Sequence, residues 1–108
     1  FNWDYRIQLS DGFSEDYTFL PPFPNPSFGH SVSINIQVIT EQLIYATIYD
    51  LMGHQIWRRS KHFYEPETET FVWNGKNDKG KRVSNGVYFI QVDGAKHQST
   101  QKIIYLKK

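Results

Sequence analysis

Residues 32–38 read Val-Ser-Ile-Asn-Ile-Gln-Val, with apolar and polar side chains in strict alternation. Successive side chains of an extended chain point to opposite faces, so this pattern describes a strand with one dry and one wet face. Elsewhere no stretch of ten or more residues repeats at the 3.6-residue helical period, which leaves strands and turns as the available elements. Residues 43–50 are rich in β-branched and aromatic types, Asp50-Leu51-Met52-Gly53 closes them with a turn, and residues 55–59 read as the returning partner. The acidic run Glu65-Pro66-Glu67-Thr68-Glu69 reads as a solvated connection into a short strand at 70–73. A tight exposed loop is predicted at 74–81, where Asn74, Gly75, Asn77, Asp78 and Gly80 crowd out regular structure. Residues 86–92 form a strong strand signal, Asp93-Gly94 a hairpin turn, and residues 100–106 the strand that pairs back.

These elements predict an all-β fold, an immunoglobulin-like β-sandwich of about seven antiparallel strands, in architecture only, because the Cys, Trp, Cys spacing of antibody domains is missing. At the front, residues 3–9 alternate weakly, Asp11-Gly12 offers a turn, and residues 20–26 hold four of the five prolines, which makes that segment extended or polyproline-like. The proline cluster predicts a junction, with 1–20 a linker or the end of a preceding module and 21–108 the compact domain. A chain that opens on Phe1, with no charged and apolar leader, reads as a piece of a larger protein.

Cysteine is absent, so disulfides, thiolate metal sites and cysteine nucleophiles are excluded together. The core then has to come from large side chains, and eight Phe, seven Tyr and three Trp supply them. Twelve Lys and Arg against eleven Asp and Glu leave a formal charge of +1, too small a field to make nucleic acid a partner by default. The longest apolar runs, 43–46, 87–90 and 103–106, are each four residues, against about 20 for a membrane-spanning helix, so no membrane insertion is expected.

Chemistry is sparse. His30, His54, His62 and His97 stand singly, without the i+2 to i+4 spacing of metal ligands. Asp11, Glu15 and Asp16 lie near the front, and Glu65, Glu67 and Glu69 would share one face of an extended chain, where three like charges solubilise an edge. With no nucleophile elbow and no phosphate-cradling glycine loop, the expectation is no catalytic residue and no cofactor. Asn74, Asn77 and Asp78 are the candidate ligands for a hard cation, but Lys76, Lys79, Lys81 and Arg82 surround them, which favours a turn whose Asx side chains bond their own backbone. Trp3, Trp57, Trp73 and the tyrosines would stack sugars if exposed, or fill the core if buried.

Short pieces in fixed order carry a family resemblance. They are Phe23-Pro24-Asn25-Pro26 ahead of the alternating strand; Ile48-Tyr49-Asp50-Leu51-Met52-Gly53; Phe71-Val72-Trp73-Asn74-Gly75 with Asn77-Asp78-Lys79-Gly80; and Asn85-Gly86-Val87-Tyr88-Phe89 with Lys102-Ile103-Ile104-Tyr105-Leu106-Lys107. The set resembles the C-terminal immunoglobulin-like sorting domains of type IX secretion, over residues 17–108, and is similar to the domain of the flagellar hook-capping scaffold, whose version the 73–80 loop approaches more closely. The resemblance implies a non-catalytic C-terminal address on a secreted or cell-surface bacterial protein. Its partners would be the secretion machinery at the outer membrane and the preceding domains of the parent chain. The implied recognition surface is the final strand, 102–108, with the 85–89 segment: Gly86, Tyr88, Lys102, Lys107 and Lys108. Pro24, Asn25, Pro26, Asp50, Gly53, Gly75 and Gly80 would set structural turns. The alternatives are a structural or assembly module, whether hook-cap-like or a spacer in an extracellular enzyme, and a carbohydrate-binding accessory module.

Overall fold

A computed structural model describes residues 16–107, and over them the protein is built of strands and turns. The strands are β1 (Tyr17–Phe19), β2 (Val32–Val38), β3 (Gln42–Tyr49), β4 (Gln55–Phe63), β5 (Glu67–Trp73), β6 (Gly86–Asp93) and β7 (Gln98–Tyr105). They form a three-stranded sheet in the order β1-β2-β5 and a four-stranded sheet in the order β4-β3-β6-β7, every pairing antiparallel. Period-two alternation turns Val32, Ile34, Ile36 and Val38 of β2 toward Ile44, Ala46 and Ile48 of β3 and Ile90 and Val92 of β6, making one continuous core. The predicted sandwich is thus the observed one. The weak alternation at 3–9 and the Asp11-Gly12 turn lie outside the described residues.

Two strand boundaries differ by three or more residues from those the sequence predicts, for one reason. β4 runs on past Arg59 to Phe63, and β5 starts at Glu67, inside the predicted acidic connection. The register pairs Ile48 with Trp57, Ala46 with Arg59, Ile44 with Lys61 and Gln42 with Phe63, so Arg59 and Lys61 occupy sandwich-facing positions of an edge strand. Both snorkel outward. The Arg59 guanidinium lies 4.7 Å from the Trp57 ring centre and bonds Asp78 at 2.6 Å, while the Lys61 ammonium lies 5.1 Å from the Phe63 ring. Lys61 also bonds Glu67 at 2.6 Å and Glu69 at 2.7 Å, and these two carboxylates hold its pKa above the ordinary value. Charges at inward positions break the apolar alternation that marks a strand, and they also keep edges β4 and β5 from pairing with another chain.

β1 is only three residues long, yet Tyr17 and Phe19 are both buried. The Tyr17 hydroxyl lies 3.1 Å from the Val92 carbonyl and 3.0 Å from Ser99 Oγ, and burial, above all, pushes the phenol above its ordinary pKa. Nearby, buried Gln42 donates to the Asp16 carbonyl at 3.0 Å and accepts from the Ala95 N–H at 3.1 Å, so this end of the sandwich is tied across three segments.

Candidate recognition surface

β7 lies at the edge of the four-stranded sheet, beside β6, with Ile103 and Tyr105 buried and Lys102 and Lys107 exposed. Its outer edge is covered in part by the proline-rich segment. Asn25 Nδ2 donates to the Lys102 carbonyl at 2.8 Å, and Asn25 Oδ1 accepts from the Ile104 N–H at 2.9 Å. One amide side chain thereby does what a neighbouring strand's backbone would do. Ser27 continues the cover: its N–H donates to the Ile104 carbonyl at 3.0 Å, and its hydroxyl oxygen accepts from the Leu106 N–H at 3.1 Å. Pro24 and Pro26 bracket the Asn, each following a cis peptide bond.

The end of β7 is held from a second side. Tyr105 packs against Trp73 (centroids 5.3 Å apart), and Tyr88 meets both rings edge-on at 5.5 and 6.4 Å. Every polar group of this cluster reaches the 74–84 loop. Trp73 Nε1 donates to the Lys76 carbonyl at 2.9 Å, the Tyr88 hydroxyl to the Ser84 carbonyl at 2.7 Å, and Arg82 donates to the Tyr105 hydroxyl at 2.7 Å. Gly75 sits against the Tyr105 ring with φ of +79°, a close approach that only a residue without Cβ can make. Asn85 Oδ1 accepts from the Lys107 N–H at 2.8 Å and holds the segment beyond β7.

The predicted site residues therefore fall into groups. Lys102 and Lys107 are exposed, and Gly86 is half-buried at the start of β6 opposite Tyr105. Tyr88, expected on the surface, points inward, while Phe89 lies half-buried on the outer face. The reason is register: Tyr88 pairs with inward Ile103, Phe89 with Lys102. Lys108 lies outside the described residues. Pro24, Asn25 and Pro26 prove to be a cover on a strand 77 residues away in sequence, beyond a local turn. The Asp50 to Gly53 turn is capped from within, as Asp50 Oδ1 accepts from the N–H groups of Met52 (2.9 Å) and His54 (2.8 Å). The His54 backbone bond is the main cause that lowers the Asp50 pKa below its usual range. Gly53 and Gly80 sit at positive φ with open space around them.

Asn77 Oδ1 accepts from Lys79 N–H at 2.9 Å and Lys81 N–H at 3.0 Å, and Asn74 Oδ1 from Lys76 N–H at 3.2 Å. The Asp78 carboxylate takes Arg58 N–H at 3.0 Å and the Arg59 guanidinium. The candidate cation ligands thus turn their oxygens to backbone and arginine. Trp57 and Trp73 are 3% and 0% exposed, so of the two readings left open for them both fill the core, and neither offers a ring face to a sugar. Trp3 lies outside the described residues. Sequence alone does not reveal the Asn25 and Ser27 contacts with β7; their one visible signal is an amide and a hydroxyl flanking prolines.

Among its described residues the chain is an all-β sandwich without helices, and the outer edge of β7 is held by the proline-rich segment. The model of the secretion system C-terminal sorting domain family matches residues 22–106, and the chain belongs to that family. It is a non-catalytic tail that directs secretion through the type IX machinery, and the protein that carries it is secreted or lies at the cell surface. Among solved structures, the dimeric latent PorU from Porphyromonas gingivalis superposes with a TM-score of 0.69 at 20% identity, over 93% of this chain and 10% of that one. This likeness is one of fold, and the chain spans about a tenth of that protein's length. No curated protein matches the chain.

Proposed function

We propose that the domain is a C-terminal address that not only directs its parent across the outer membrane but also leads to attachment at the cell surface. The machinery would read the outer side of β7 and the adjoining start of β6. One observation carries this reading: Lys102, Ile104 and Leu106 alternate outward beside Val87 and Phe89, on a strand whose position is set by Asn25, Ser27, Gly75 and Asn85. A row of side chains fixed in this way is preorganised for a partner, because little conformational entropy remains to be lost on binding. Residues ahead of the sandwich would link it to the preceding modules of the parent.

The test is to fuse Phe1 to Lys108 behind a fluorescent reporter carrying an ordinary signal peptide, in a host with type IX secretion. Protease-accessible reporter on intact cells is the expected result. Reporter kept in the periplasm would refute the sorting role, and reporter free in the medium would refute attachment alone.

A further inference from the structure

The cover on β7 stops short. Alternate residues of this strand aim their backbone groups away from β6, as the bonds made by the Lys102 carbonyl, both Ile104 groups and the Leu106 N–H establish. The same parity places the N–H and C=O of Thr100 and the N–H of Lys102 on the outer edge, and there no partner meets them among the described residues. Beside these groups a groove of about 390 Å³ opens between the sheets, lined by Phe19, Pro21, Thr100, Gln101 and Lys102. Gln101 Nε2 reaches across it to the Phe19 carbonyl at 3.4 Å.

We propose that this open stretch of β7 is a docking site for an extended, carboxylate-bearing segment of a partner polypeptide, which adds a strand to the four-stranded sheet. The unmet groups ask for a peptide backbone, since a donor and acceptor at Thr100 and a donor two residues on, about 7 Å away, match the repeat of a strand. Asn25 fills the next position and ends the site there. Alternate side chains of the incoming segment enter the groove over Phe19 and Pro21, which suits apolar residues. The others lie on the outer face, one of them beside Lys102. Lys96, Lys102 and Lys107 are exposed along this strand and its turn with no ion pair among the described residues, so a carboxylate complements the edge. A second copy of the chain would set this basic strand against itself. The inference goes beyond the sorting role and does not depend on which protein supplies the strand.

The test uses the whole purified chain and a synthetic capped peptide, Thr-Val-Glu-Val-Thr-Val, beside the analogue with Lys for Glu. Binding of the Glu peptide should slow hydrogen exchange at the Thr100 and Lys102 amides about tenfold or more. Thr100→Pro removes an edge donor whose N–H points away from β6 and so breaks no bond to that strand, a position where proline is tolerated, and should abolish the effect. Lys102→Glu, which alters no backbone group, should reverse the preference to the Lys peptide and keeps the test valid should the proline variant misfold. No slowing at Thr100, equal binding of the two peptides, or peptide-independent dimers in sedimentation would each overturn the proposal. None of these outcomes touches the secretion assay, so the two readings fail separately.

Discussion

Gly75→Ala should be among the most costly single-methyl changes in this domain. A Cβ on Gly75 would overlap the hydroxyl and adjoining ring carbon of Tyr105, with Cε1 at 2.6 Å as well. The ring cannot swing aside, because Trp73 and Tyr88 flank it and Arg82 bonds its hydroxyl. Nor is the loop free to retreat, since the Gly75 carbonyl accepts from the Val83 N–H at 2.9 Å. Two costs add: about 1–2 kcal/mol for an L-residue at φ of +79°, and about 1–3 kcal/mol for overpacking a fitted core. The total, roughly 2–5 kcal/mol, is a large share of the 5–15 kcal/mol a domain possesses. Gly53→Ala and Gly80→Ala supply the controls, at φ of +88° and +84° with nothing within 4 Å of the new methyl. They should lose only the backbone part, about 1–2 kcal/mol. Urea denaturation of the three variants and the parent chain measures the difference. Equal losses at all three sites would refute the claim that Tyr105 is clamped against the 74–83 loop.

Asn25→Ala removes both bonds to β7 and should cost about 1–2 kcal/mol, with faster exchange of the Ile104 amide; Asn25→Asp, which keeps the acceptor and loses the donor, should fall between. Stopping the chain after Lys102 deletes Ile103 and Tyr105, both fully buried, and should leave no cooperative unfolding transition in a thermal melt. The Asp50 carboxyl has a folded pKa below its ordinary 3.8, so its contribution is complete above about pH 5 and disappears as pH falls through the folded value. An Asp50→Ala variant should accordingly lose the part of the acid-side decline in stability that this carboxylate causes. Lys61→Met should leave the urea midpoint nearly unchanged, because its ion pairs are solvent-screened, yet it should raise aggregation measured by light scattering, since the edge loses an inward charge.

What could be read from sequence were the features set by near neighbours. β2 and the β3–β4 turn are legible because alternation and turn chemistry act over a few residues. In the apolar run of β6 the pattern allows either Tyr88 or Phe89 inside, and only pairing with β7 and β3 assigns them. Arg59, Lys61, Glu67 and Glu69 obscure the ends of β4 and β5, because they put charges at sandwich-facing positions and carry their heads out into ion pairs. By sequence Asn25 reads as a turn residue, since nothing within several positions of it reveals a partner in β7.

That distance explains why the ordered pieces form one signature. Asn25 meets Lys102 and Ile104, Gly75 meets Tyr105, Arg82 bonds the Tyr105 hydroxyl, Asn85 bonds Lys107, and Gly86 pairs with Tyr105 in the ladder. Segments scattered over the chain thus converge on a single strand. β7 in turn supplies Ile103 and Tyr105 to the core, so neither the clamp nor the sandwich is complete until that strand is in place. Its outward row, Lys102, Ile104 and Leu106, consequently exists as a fixed surface only on a fully folded domain, and a partner that binds that row also discriminates folded from unfolded cargo.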